Sequence, residues 1–372
     1  MMSTNHLRIG VVCGEHSGDR LGASLIKEIK KNHNVSLYGV GGPEIEKIGL
    51  NSSFNFNDLQ IMGLVEPIIK YRSLSKKRKD LIALFKKNNI DIFIGIDSPD
   101  FNISIHKAMK KHQVCKTIQL VSPSVWAWRQ NRINSIKKYI DVTVCLFEFE
   151  HNFYKEFKHK SIHLGHPFNS LEKAPIDEVI SKYELSSEKK YISILPGSRV
   201  SEIDNMLPIF LNFVNRHSQN NNNFIYLIPT SDERLYKKIN EMIPQQQNIL
   251  IKEGAMRDFL SISDFSLATS GTATLESAIL GCPPIICYKT NLINYVIISR
   301  MLKTKHIGLP NILLDTDYFT ELVQMDCNIE NIFKAIKKMP DMKLNNTVIE
   351  EKLKTILTGD GFESVANKIS QL

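Results

Sequence analysis

The chain lacks the devices that would tie it to a membrane span, a redox cofactor or a metal. No stretch of its 372 residues approaches the ~18 apolar residues that a transmembrane helix requires. Its six cysteines, at 13, 115, 145, 282, 287 and 327, form no CxxC pair and no zinc spacing. They read as reduced thiols of a cytoplasmic protein. No GxGxxG is present, which removes the main support for a nicotinamide or flavin dehydrogenase, and no GxxxxGKS/T is present, which disfavours a phosphate-loop NTPase. Aromatic residues make up 8% and are not grouped as in an RNA or DNA module, so nucleic acid is not an expected partner. No repeat of solenoid period occurs. The strand-type run Ile9–Val12 leads directly into a loop, and no export leader is expected.

What is present is a regular alternation. Short apolar runs end at Val12, Val40, Ile96, Val121 and Leu146, then at Leu195, Ile228, Ile251, Ala268 and Tyr288. Helical-length segments separate most of them, the signature of parallel sheets wound by helices. The length suits two cores of roughly 150–200 residues each. The expected class is α/β, with two Rossmann-like doubly wound parallel-sheet domains facing a cleft. The expected boundaries are 1–167, 168–344 and a helical tail 345–372 that packs back on the first domain. Ligands of such sheets collect at the carboxyl ends of strands. There the sequence places Gly14–Asp19, Gly39–Pro43, Asp97–Asp100 and Ser122–Arg129.

Two of these strand ends have the grammar of anion sites. Tyr191–Leu195 runs into Pro196-Gly197-Ser198-Arg199 and then a helix. Gly197 lets the backbone approach an anion, the free amides of the next helix point at it, and Arg199 adds a planar cation. An ordinary strand–helix turn with a surface arginine has the same letters. Phe265–Ala268 is followed by Thr269-Ser270-Gly271-Thr272 and, one turn on, by Glu276. Ser270 and Thr272 can cap the helix or contact phosphate; Glu276 can accept hydrogen bonds from a ribose diol or simply complement the helix dipole.

Charge is distributed unevenly. The net charge is +8, and all of the excess lies in residues 1–150, with 22 Lys+Arg against 14 Asp+Glu. A basic half implies a polyanionic partner. Its densest stretch is Lys70–Lys87, where Lys76, Lys77 and Arg78 alternate with apolar residues. Such a helix lies on an anionic membrane surface, or packs its apolar face on a sheet. Leu292–Lys305, with Arg300, presents the same two readings. Asp315-Thr316-Asp317 has the form of an acidic metal triplet but follows the wrong kind of strand, so no metal and no cofactor are expected.

Taken in order, these motifs resemble the lipid-A-disaccharide synthase family. The resemblance covers nearly the whole chain: Gly14–Asp19, Gly41-Gly42-Pro43, Met62–Glu66, Gly95–Ile103, Val121–Arg129, Gly165-His166-Pro167, Leu195–Ile203, Ser270–Glu276 and Leu309-Pro310-Asn311. The Trp-Ala-Trp-Arg and Ile-Asp-x-Pro-Asp runs are specific to it. Glu148 stands where the family usually has proline, and Gly308 where it usually has serine.

The resemblance implies a GT-B glycosyltransferase. It would transfer 2,3-diacylglucosamine from its UDP derivative to 2,3-diacylglucosamine 1-phosphate, with inversion, giving a β-1,6-linked disaccharide 1-phosphate. It further implies a peripheral enzyme on the cytoplasmic face of an anionic inner membrane, with a second copy of the chain as a candidate partner. An inverting transfer needs a base, for which Asp97 is expected and Asp100 is the rival. Arg199 with the Gly197-Ser198 and Ser270-Gly271-Thr272 turns would meet the charge of departing UDP without metal. Glu15, Ser17 and Asp19 are expected on the acceptor side and Asn311 near the sugar nucleotide. Trp126, Trp128 and Arg129 suit a lipid–water boundary or an aromatic packing loop. Two other readings stay open. One is a different UDP-sugar enzyme, such as an N-acetylglucosamine transferase or 2-epimerase; the other is a non-catalytic module that binds anionic lipid or nucleotide.

Overall fold

The computed structural model describes residues 6–59, 71–111, 115–127, 129–243, 248–291, 304–339 and 346–372. Trp128, Arg300, the motif 62–66 and most of the amphipathic stretch 292–305 lie outside these residues. The chain forms two compact units, residues 6–166 with 357–372, and residues 167–291 with 304–356.

The first unit holds a six-stranded parallel sheet. Its strands are β1 (His6–Cys13), β2 (Asn34–Val40), β3 (Ile92–Ile96), β4 (Lys116–Leu120), β5 (Val142–Cys145) and β6 (Ser161–His163). They lie in the order β2-β1-β3-β4-β5-β6, with Val12 beside Val40 on one side and Gly95 on the other. A parallel sheet is covered on both faces, so its inner strands read as unbroken apolar runs. Ile92-Phe93-Ile94-Gly95-Ile96 is buried at every position.

The second unit repeats the plan with β7 (Lys190–Leu195), β8 (Phe224–Thr230), β9 (Ile249–Glu253), β10 (Phe265–Thr269), β11 (Pro284–Tyr288) and β12 (Glu321–Val323). Their order is β12-β11-β10-β7-β8-β9, again all parallel. In each sheet the winding reverses once, between β1 and β3 and between β7 and β10. Right-handed crossovers then carry the connecting helices to opposite faces, and the reversal opens a crevice at the carboxyl edge.

The carboxy-terminal region divides between the units. Helix Asn346–Ile356 belongs to the second, where Asn346 donates to the Gly281 carbonyl at 2.7 Å. Helix Gly361–Ser370 belongs to the first and packs on helix His16–Asn32. The segment before it is hydrogen-bonded to the end of β6, through His166 N to Leu357 O at 2.8 Å and Asp360 N to His163 O at 2.9 Å. The basic helix Tyr71–Lys87 packs on helix Pro99–Lys111, with Leu81 and Phe85 buried beneath it. Among the described residues, no helix is long and apolar enough to cross a membrane.

Candidate active site

In the second unit, both anion-type turns stand at the single switch point. Strands β7 and β10 are hydrogen-bonded neighbours, with Leu195 beside Ala268, so the two turns leave adjacent strand ends. Gly197 has φ +119°, and a Cβ there would lie 2.5 Å from Cβ of Glu202. Only glycine allows this turn to close so tightly on the next helix. Ser198 is exposed, and Arg199 caps helix Val200–Ser218 with extended backbone. Glu202, which the sequence reading passed over, organises the turn. It accepts the Ser198 amide at 3.0 Å and the Arg199 guanidinium at 2.8 Å. Tyr288, at the end of β11, lies within the field of this pair. Burial and the Glu202 carboxylate hold its phenol above the usual range, with Arg199 opposing.

At the β10 turn, Gly271 is exposed and precedes helix Thr272–Ile279, on which Thr272 and Glu276 are half-buried. Ser270 has a different task from the expected phosphate contact: its hydroxyl donates to the Ile307 carbonyl at 2.7 Å and ties the following loop to the turn. Asn311 is likewise engaged internally. It is 0% exposed, donates to Phe319 O at 2.8 Å and Glu321 Oε1 at 2.9 Å, and accepts from Phe319 N at 2.9 Å. With both ends of its amide occupied, it braces the loop between residues 307 and 321. Among the described residues, no three His, Cys, Asp or Glu side chains are grouped to hold a metal.

In the first unit, Asp97 follows β3 directly at its switch point. Asp97 and Ser98 both have left-handed backbones, φ +48° and +41°. The Asp97 carbonyl accepts from Asn102 Nδ2 at 2.9 Å and from Gln119 Nε2 at 3.1 Å. Its own amide donates to Leu120 O at 3.1 Å. The side chain is half-buried and lies against the first helix: a Cβ on Gly18 would sit 2.3 Å from Oδ2. A Cβ on Gly14 would sit 2.4 Å from Ser98 Oγ, so the β1 and β3 loops meet here. Glu15 is half-buried in the β1 loop and Ser17 is exposed on the next turn. Burial, with Asp97, Asp19 and Glu15 nearby, drives the Cys13 thiol upward. The end of β1 is therefore an acidic spot in a basic unit.

Asp19 is not a surface group of this site. It is 1% exposed, and its carboxylate accepts the amides of Gly42 at 2.9 Å, Glu44 at 2.8 Å and Ile45 at 3.2 Å. It caps helix Pro43–Lys47, and burial raises its pKa against the pull of those three donors. Asp100 stands apart from Asp97, 70% exposed and ion-paired with Arg132 and Arg129.

The residues expected at a membrane divide. Lys76 is exposed; Lys77 pairs with Asp58 and lies 4.5 Å over the Phe54 ring. Arg78 donates to Ser104 Oγ at 3.2 Å and stacks over Phe101. Trp126 is packed internally, with its ring edge-on to Phe149 and its indole N–H donated to Glu150 at 3.2 Å. Glu150, also accepting the Leu146 and Phe147 amides, is pushed by burial up to about 7.

Comparison with known proteins places this geometry in a family. A family model described as lipid-A-disaccharide synthetase matches residues 9–370. Lipid-A-disaccharide synthase 2 of Legionella pneumophila strain Paris is 36% identical over 357 residues, covering 94% of this chain and 92% of that one. Lipid-A-disaccharide synthase of Francisella philomiragia is 36% identical over 360 residues, 94% of each. Among solved structures, Staphylococcus aureus MnaA in a UDP co-structure aligns with TM-score 0.63 at 13% identity, covering 98% of this chain and 96% of that one. Acinetobacter baumannii MurG aligns with TM-score 0.53 at 12% identity, covering 99% and 100%. These distant likenesses establish the two-sheet GT-B fold. The family match is of another order, running from the first strand through both switch points to the last helix, and the chain belongs to the lipid-A-disaccharide synthetase family.

Proposed function

We propose that the protein transfers 2,3-diacylglucosamine from UDP-2,3-diacylglucosamine to 2,3-diacylglucosamine 1-phosphate, releasing UDP and forming the β-1,6-linked disaccharide 1-phosphate. The observation that carries this reading is the coincidence of both anion-type turns at the β7/β10 switch point, in a chain of this family. The second unit binds the nucleotide: the Gly197-Ser198 and Gly271-Thr272 amides and Arg199 face the diphosphate, and Glu276 takes the ribose. The first unit binds the acceptor, with Glu15 and Ser17 beside it. Asp97 takes the proton of the acceptor 6-hydroxyl as that oxygen attacks the sugar carbon and the bond to the UDP oxygen breaks. Charge on the departing diphosphate is met by Arg199, whose present partner Glu202 releases it to the stronger anion. No metal enters this step. Base catalysis of this kind contributes ~10²–10⁴-fold, and one electrostatic group ~10²–10³-fold.

The excess positive charge of the first unit and exposed Lys76 support a peripheral position on an anionic bilayer, where both acylated substrates reside. The test is incubation with both diacylated substrates, with and without chelator, followed by mass spectrometry. The reading predicts disaccharide 1-phosphate and equimolar UDP in both cases. Turnover of UDP-N-acetylglucosamine in place of the acylated donor would favour an epimerase or a different transferase instead.

A further inference from the structure

Beside the Asp97 loop the first unit contains a cavity of about 200 Å³. Its wall is mostly apolar, formed by Pro99, Ile103, Pro123, Ile136 and Ile140, with Ser135, Asp100 and Arg132 on its exposed side. An apolar cavity of ~150 Å³ suffices for a benzene ring. This one admits a segment of hydrocarbon, not a whole long chain.

One buried polar ring interrupts the apolar wall. His106 is 0% exposed, and burial drives its pKa down to about 4, so the imidazole is neutral at pH 7. Its tautomer follows from its neighbour. Gln119 Nε2 donates to the carbonyls of Asp97, Leu120 and Val121, which leaves Oε1 as the acceptor facing His106 Nε2 at 3.1 Å. The ring hydrogen is therefore on Nε2, and Nδ1 is a bare acceptor. It has no hydrogen-bond partner. A buried acceptor without a donor is destabilising, and His106 lines the cavity, so an O–H or N–H of an occupant that reached Nδ1 would satisfy it.

An apolar wall, one unfilled acceptor and the Arg132–Asp100 ion pair at the rim describe a ligand with a hydrocarbon body, one donor and a polar head. We propose that this cavity seats the root of one acyl chain of the acceptor sugar, with a hydroxyl or amide N–H of that chain donating to His106 Nδ1. This rests on the glycosyl-transfer reading above and assigns its acceptor a binding site. The placement suits that role: Gln119 hydrogen-bonds both His106 and the Asp97 carbonyl, so a chain held here keeps its sugar beside the base.

The test uses the full chain at saturating donor and a series of acceptors with one acyl chain shortened or stripped of its hydrogen-bond donor. Acceptor KM should rise about fourfold for each methylene withdrawn from the cavity. Removing the donor group should raise it about tenfold in the wild type and leave it unchanged in His106→Phe. Ile103→Phe, which fills the cavity, should raise acceptor KM at least tenfold while kcat and donor KM hold. Should Ile103→Phe melt early, Ser135→Trp closes the exposed side without touching the core and should give the same split. An acceptor KM indifferent to chain length, or to both obstructing variants, would overturn the proposal. Absence of disaccharide from every acceptor in the wild type would instead sink the transfer reading, and this proposal with it.

Discussion

The Asn102 side chain offers a sharp test of how Asp97, the proposed base, is held. Asp97 and Ser98 occupy left-handed backbone that costs roughly 1–2 kcal/mol for each non-glycine residue. Opposing that strain are the Asp97 amide on Leu120 and two side-chain donors on the Asp97 carbonyl, Asn102 at 2.9 Å and Gln119 at 3.1 Å. Each such bond is worth about 1 kcal/mol net. Asn102→Ala removes one of the two donors and leaves a void at a fully buried position, for a total of roughly 2–3 kcal/mol. About 1–2 kcal/mol of that acts on the loop carrying Asp97. Since 1.36 kcal/mol is tenfold in rate, kcat should fall about 5- to 30-fold with donor KM unchanged. Urea melts alongside kcat separate the two parts. Asn102→Asp keeps the size but sets a carboxylate against the carbonyl and should be worse. An Asn102→Ala protein that is destabilised yet keeps kcat within about twofold would refute the reasoning.

Other outcomes follow from the same geometry. Asp97→Asn should lose ~10²–10⁴ in kcat while Asp100→Asn, altering an exposed ion pair, keeps most turnover; the reverse order would reassign the base. Gly197→Ala should destabilise by more than ~1 kcal/mol and raise donor KM, because its Cβ meets Glu202 in a backbone that disfavours side chains; a neutral effect in both melts and kinetics would contradict this. Acid should weaken the fold. His106, His159 and His166 are held near 4 by burial, so between about pH 6.5 and 4 the unfolded chain binds the extra protons and stability rises with pH. Glu150, raised to about 7, and Asp19 act in the opposite sense, but three groups outweigh two. The urea midpoint should therefore drop from pH 6.5 to 5, and a rise would count against the buried neutral imidazoles.

The fold was legible wherever burial on both faces wrote an unbroken apolar run. All ten such runs became strands within a residue or two of their expected ends. The two that escaped, β6 and β12, are three-residue edge strands too short to carry a pattern. The turns at Gly197 and Gly271 were readable because small residues after a strand have few other uses. What identity alone could not separate was a polar residue facing a ligand from one facing the backbone. Asp19 meets amides some 25 residues away and Asn311 a loop that returns later, contacts that exist only once the chain has folded. Glu202 was passed over for the same reason in reverse. An acid in the first helical turn reads as a dipole complement, and only its bonds to Ser198 and Arg199 reveal its part in the turn. The basic helix shows both of its faces to be accountable, Leu81 and Phe85 buried inside and Lys76 outside.

The central claim is that the diphosphate of UDP lies at the β7/β10 switch point under Arg199, and that the base is Asp97 of the other unit. Calorimetric titration of UDP into the wild type, Arg199→Ala and Asp97→Asn tests it directly. The account predicts that Arg199→Ala weakens UDP binding at least tenfold, the worth of a charged hydrogen bond of about 1.5–3 kcal/mol. Asp97→Asn should leave that affinity intact while abolishing most turnover. Unchanged UDP affinity in Arg199→Ala, or its loss in Asp97→Asn, would contradict it.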